Sequence, residues 1–172
     1  MKREIKSQMK SRTSWIVAAA VVALLSGCGM KKPQEADVLN VEARTPSGLP
    51  VAALEWRMIT SGIDRHDREH GTMTMLTGND VAVKYAGSGI YPAGSELALT
   101  TWLERDDPHW FGARIPGTFV SLETVEVKNG PDGKPAAEYH RYEGNPAHEV
   151  KDATNANSRK TYLLGMTASE MP

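Results

Sequence analysis

His66 and His70, in the run His66-Asp67-Arg68-Glu69-His70, are the first groups in the sequence with ligand spacing. On a helix they would share one face, and neutral imidazole suits zinc, copper or nickel. The run is polar throughout and borders Gly71, which fits a solvated turn better. Met73 and Met75 alternate within Thr72-Met73-Thr74-Met75-Leu76-Thr77, so on a strand both thioethers project to one side. With a nearby His they can hold Cu(I), although filling a sheet core is the commoner use of such a pair. These four residues are weak candidates, and no metal is assigned to them.

A denser set of groups lies in Glu104-Arg105-Asp106-Asp107-Pro108-His109-Trp110-Phe111-Gly112-Ala113-Arg114. Trp110 and Phe111 can wall an apolar pocket, and Arg114 offers a fork for a carboxylate. Lys84, Trp102, Glu104, Trp110, Phe111, Arg114 and His140 make up the candidate ligand pocket; no catalytic residue is assigned. The plainer reading is a loop pinned by its aromatics, made rigid by Pro108 and Pro116, with its charges in water. His140, between Tyr139 and Arg141 on an alternating segment, can face inward or outward.

Several chemistries are excluded by what is missing. There is no Gly-x-Ser-x-Gly elbow and no His-Glu-x-x-His zinc helix. Gly112-Ala113-Arg114-Ile115-Pro116-Gly117-Thr118 spaces its glycines like a phosphate loop, but Thr118 stands where the Lys belongs and Pro116 removes an amide. We read it as an ordinary loop.

The chain has 172 residues, with 20 basic against 21 acidic groups and one Cys. A charge near zero leaves no electrostatic footprint for nucleic acid. A lone Cys makes no internal disulfide, no Cys-x-x-Cys pair and no thiolate zinc site. Lys2, Arg3, Lys6, Lys10 and Arg12 precede an apolar run from Trp15 to Leu25. That run spans roughly half of a ~30 Å hydrocarbon core, too short for a transmembrane helix and typical of an export signal. Leu25-Ser26-Gly27-Cys28 resembles the lipobox of bacterial lipoproteins. The resemblance implies cleavage before Cys28 and acylation of that residue, palmitate included. It places the protein on the bilayer, facing the periplasm of the cell envelope. Gly29 in place of Asp points to the outer membrane. Several acyl chains anchor stably, since each buried methylene contributes about 0.8 kcal/mol. Without residues 1–27 the chain keeps 15 basic and 20 acidic residues, a net charge of −5. Such a surface repels anionic headgroups, so the lipid must do the anchoring.

Residues 28–50 read as the acylated Cys and a tether, with Pro33, Pro46, Ser47, Gly48 and Pro50 and little apolar periodicity. As a coil its ends would lie roughly 25 Å apart. Residues 51–172 are long enough for one core. Period-two alternation predicts strands over Thr72–Thr77, Glu96–Glu104, Thr118–Val127 and Ala137–Glu143, with a turn at Gly130-Pro131-Asp132-Gly133. Asn79-Asp80 can cap a short helix through Tyr85. Trp56–Ile63 fits either period, and Tyr162–Met166 reads as a last strand. The class is α+β, a mainly antiparallel β-sheet with a few short helices packed on it.

Three stretches then align with one family. Met75-Leu76-Thr77-Gly78-Asn79-Asp80-Val81-Ala82-Val83-Lys84-Tyr85-Ala86, Tyr91-Pro92-Ala93-Gly94-Ser95-Glu96-Leu97-Ala98-Leu99 with Trp102, and Asp107-Pro108-His109-Trp110-Phe111-Gly112-Ala113-Arg114-Ile115-Pro116-Gly117 are similar to the cytochrome P-460 family. Tyr139 to Gly144 and Gly165-Met166-Thr167-Ala168-Ser169-Glu170-Met171-Pro172 continue the likeness, which runs from about Trp56 onward. It implies a haem pocket on one face of an antiparallel sheet, an exported location, often a homodimer, and chemistry on small nitrogen compounds. Haem-bearing members attach the cofactor through Cys-x-x-Cys-His and supply the axial ligand from that His. This chain has no Cys other than Cys28, so thioether links and axial ligand are lost together. Lys84 and Glu104 match the family's cross-linking lysine and distal acid by residue type alone. Three readings stay open: a haem-free module binding a small ligand or a periplasmic partner; a redox enzyme of small nitrogen compounds holding non-covalent haem through His109 or His140; and a copper- or zinc-handling lipoprotein. The first is our expectation, with no cofactor.

Overall fold

Alternation along the chain builds six strands: β1 (Arg57–Asp64), β2 (Thr72–Gly78), β3 (Glu96–Asp106), β4 (Arg114–Asn129), β5 (Pro135–Glu143) and β6 (His148–Glu149). They come from a computed structural model that describes residues 39–65, 71–151 and 155–168. Every neighbouring pair is antiparallel, and the spatial order is the chain order. Such a meander needs only short connections between strands. Gly130–Gly133 supplies one of them, with the Gly130 amide donating to the Lys134 carbonyl and Gly133 at a positive φ.

Two faces result, and they are covered differently. Leu76, Leu97, Leu99, Val125 and Val127 point to the first face, beneath two helices, α1 (Asp80–Tyr85) and α2 (Ala156–Gly165). Ala98 and Leu122 point to the second, where Ala53, Leu49, Val51 and Trp56 cover them. Register fixes this division. Leu97 sits opposite Val125 and Ala98 opposite Thr124, so a slip by one residue would exchange the two faces.

Asn79 holds α1 in place. Its Oδ1 accepts from the Ala82 amide at 2.9 Å and from the Glu96 amide at 3.2 Å, and its Nδ2 donates to the Gly94 carbonyl. One side chain thus caps the helix and ties it to the start of β3. Gly78 permits the close approach that follows, because a Cβ there would lie 2.9 Å from both Ala82 Cβ and Ile59 Cδ1.

Three expectations are corrected. Tyr162–Met166 is not a strand: it belongs mostly to α2, with Leu163 buried at its centre. The helix sets Arg159 and Leu163 one turn apart toward the sheet, so half of its inner face is charged and the apolar periodicity disappears from the sequence. Gly112–Thr118 is not a loop throughout, since β4 begins at Arg114, paired with Asp106. Pro116 is tolerated because β5 pairs with β4 only from Ser121 onward, leaving that side of β4 open. Residues 40–50, read as tether, pack on the sheet. Asn40 Nδ2 donates to the Pro116 carbonyl, Glu42 pairs with Arg105, and Ala43 accepts from Trp102.

Candidate functional site

The seven residues of the expected pocket lie in separate places. Lys84 stands on α1 with its Nζ 5.7 Å from the centroid of the Tyr85 ring. Trp102 is buried on the second face, its Nε1 donating to the Ala43 carbonyl at 2.9 Å. Glu104 and Arg114 do meet, across the β3–β4 hairpin: Arg114 Nε lies 3.3 Å from Glu104 Oε2, and its Nη1 lies 2.6 Å from Asp106. Arg65 donates to Glu104 as well, from Nη2 at 2.8 Å and Nε at 3.0 Å. Gly71 makes room for that carboxylate, since a Cβ at this position would fall 2.7 Å from Oε2. The Arg65 hydrogen bonds, then the charges of Arg65 and Arg114, hold the Glu104 carboxyl below its usual range against the opposing effect of burial.

Trp110 and Phe111 belong to neither hydrophobic cluster of the described residues. Both stand in solvent at the tip of the hairpin, Trp110 72% exposed and Phe111 fully so. His140 faces the second side of β5, its Nδ1 2.7 Å from Glu149 Oε1. It borders a cleft of about 180 Å³ with Pro50, Val51, Trp56 and Tyr142. Met73 and Met75 share a face as expected, opposite Trp102 and Thr100. Cys28, His66 and His70 lie outside the described residues.

The helix-covered face holds the arrangement that the sequence reading missed. Glu123 of β4 points to this face with Val125 and Val127, and only 1% of its side chain is exposed. Arg159 of α2 grips it with both arms, Nε to Oε1 at 2.8 Å and Nη2 to Oε2 at 2.6 Å. The Tyr139 hydroxyl donates to the same Oε1 at 2.5 Å. Burial pushes the Glu123 carboxyl up, yet the bonds from Arg159 and Tyr139 and the charges of Arg159 and Arg141 outweigh it, so the group ends below its usual range. Burial and the bond to Glu123 push the Tyr139 hydroxyl up to about 12.

Beside this cluster the first face opens into a groove of about 340 Å³. Its polar walls carry Asp64, Thr72, Thr74, Thr101, Ser121, Arg141 and Arg159, with Tyr162 at the rim. Arg159 also stacks on Tyr162, its Cζ 4.7 Å from the ring centroid. Arg141 gives its Nε to Glu143 at 2.6 Å. A guanidinium carries five N–H donors, more than these ion pairs use. Two guanidiniums and four hydroxyls outnumber the one Asp64 carboxylate around this concavity, a set that suits a small ligand rich in oxygen.

For the haem that the family likeness implies, this groove offers no ligand among the described residues. His109, His140 and His148 are the described histidines, and none lines the groove. Neither thioether links nor an imidazole ligand for haem is therefore available from the described residues around it. Among the described residues, no three His, Cys, Asp or Glu side chains cluster as a metal site. No helix in the described residues is long and apolar enough to cross a membrane. Compared with protein-family models and with curated proteins, the chain gives no match.

One signal in the sequence pointed to this site. Glu123 is the lone carboxylate at the same parity as Val125 and Val127, and a charge on an apolar face needs a partner. The partner, Arg159, lies 36 residues away in sequence and leaves no such trace.

Proposed function

We propose that this protein is a lipid-anchored lipoprotein of the bacterial cell envelope whose cytochrome P-460-like sheet serves as a binding module for a small oxyanion or carboxylate. The observation that carries the reading is the groove beside Glu123. There, one half of the helix-covered face is closed by apolar packing, while the other half stays open and is lined by Thr101, Ser121, Arg141 and Arg159, with Asp64 the one carboxylate among the lining residues. Packing both halves with apolar side chains would serve stability better, since a buried ion pair is a weak source of it. A polar wall next to a concavity serves recognition instead. The Leu25-Ser26-Gly27-Cys28 run supports the anchor, and the absence of a second Cys supports binding without covalent haem.

Recognition follows from the donors present. Arg141 and Arg159 offer charge-assisted hydrogen bonds to an anionic oxygen, and the hydroxyls of Thr101 and Ser121 donate or accept according to the ligand. Glu123 takes part only indirectly: it holds the Arg159 guanidinium in one orientation beside the groove. Titration with acetate, nitrite and phosphate in turn, followed by amide chemical shifts, tests the assignment. At least one probe is expected to saturate shifts at Thr101 and Ser121, and Arg141→Gln is expected to abolish them.

A further inference from the structure

The hairpin joining β3 to β4 ends in two side chains that the fold does not use. Trp110 and Phe111 are adjacent, exposed and without a packing partner in the hydrophobic clusters of either face. Paired aromatics at a projecting tip are suited to the boundary between water and hydrocarbon. Charge does not oppose this. Within residues 104–114, Glu104, Asp106 and Asp107 exceed Arg105 and Arg114 by one charge, and Arg65 pairs with Glu104, whereas the chain without its leader carries a net charge of −5.

The place where the chain enters the domain singles out this end. Asn40 donates to the Pro116 carbonyl at 2.6 Å and accepts from Arg105 Nη2 at 3.0 Å, which fixes the start of the domain at the base of the same hairpin. From Pro116 to the tip at Gly112 is roughly 13 Å along the strand, by about 3.3 Å per residue. The opposite end of β4, at Asn129, lies roughly 43 Å away on the same scale. The chain between Cys28 and Asn40 can span at most about 43 Å. The aromatic tip is thus nearer than the Gly130–Gly133 turn to the point where the chain enters the domain.

We infer that Trp110 and Phe111 are a lipid-contacting tip that seats in the headgroup region of the bilayer and sets the orientation of the domain on it. The inference rests on the lipoprotein reading. With the tip as the second contact, the domain stands on its hairpin with the long axis of β4 rising from the membrane.

The test uses the full chain recovered from membranes of bacteria grown with labelled palmitate. The protein is reconstituted in vesicles of phosphatidylethanolamine and phosphatidylglycerol containing brominated phosphatidylcholine, and tryptophan emission is recorded for wild type and Trp110→Phe. The expected result is label on the protein, together with a bromine-quenched, blue-shifted component of emission that Trp110→Phe loses. Label with equal quenching in the two proteins, or with none, overturns the tip while leaving the anchor standing. Absence of label overturns the anchor, and the inference falls with it.

Discussion

Replacing Arg159 by Ala leaves Glu123 buried with its main counter-charge gone. Breaking a buried ion pair by removing one partner costs about 3–5 kcal/mol. Solvent screens part of this, because the Arg159 side chain is 36% exposed while that of Glu123 is only 1% exposed. Tyr139 also keeps its hydrogen bond to Oε1. The expected loss is therefore about 2–3 kcal/mol at neutral pH. With a urea dependence of about 1–3 kcal/mol per molar, the unfolding midpoint should fall by about 0.7–3 M. The same substitution in a Glu123→Gln background should cost less than about 1 kcal/mol, since no buried charge remains to be stranded. The pH dependence has a definite sign. The folded-state carboxyl of Glu123 lies below its usual range, so its stabilising contribution is present above the unfolded value of about 4.3 and is lost as pH falls through the folded one. In Arg159→Ala, protonation relieves the stranded charge, and the gap between variant and wild type closes toward acid pH. Urea melts of the four proteins of the cycle, at neutral and acid pH, measure all of these quantities. An equal loss in both backgrounds would refute the reasoning, as would a gap that does not narrow in acid.

Two further outcomes follow from the packing. Gly78→Ala places a methyl 2.9 Å from Ala82 Cβ and Ile59 Cδ1, so α1 must shift; a loss of about 1–3 kcal/mol in thermal or urea melts is expected. In alkaline absorbance titration, Tyr139 should ionise only near about 12, and Tyr139→Phe should remove that late step while leaving the earlier tyrosine transitions in place.

Strand alternation made most of the sheet legible. Thr72–Thr77 and Glu96–Glu104 are strands at close to the expected bounds, and Asn79 caps the expected short helix. Alternation is a local property and survives in sequence. The helix over Ala156–Gly165 was not legible, because its inward positions pair one guanidinium with one leucine and so erase the apolar stripe. The candidate site was legible only in fragments. Glu104 and Arg114 meet because hairpin pairing brings Glu104 opposite Pro116 and Asp106 opposite Arg114. Trp110 and Phe111 lie beyond the last pair, where no second element covers them. The groove is assembled from β1, β2, β3, β4, β5 and α2, and it has no continuous motif to find.

The central claim is that the open half of the helix-covered face is a binding site for a small anion. Titration of the wild type and Arg141→Gln with acetate, nitrite and phosphate, read at the backbone amides, tests it most directly. The account predicts saturable shifts confined to Thr72, Thr74, Thr101 and Ser121 for at least one probe, lost in the variant. Unperturbed groove amides with all three probes, or shifts that persist unchanged in Arg141→Gln, would contradict it.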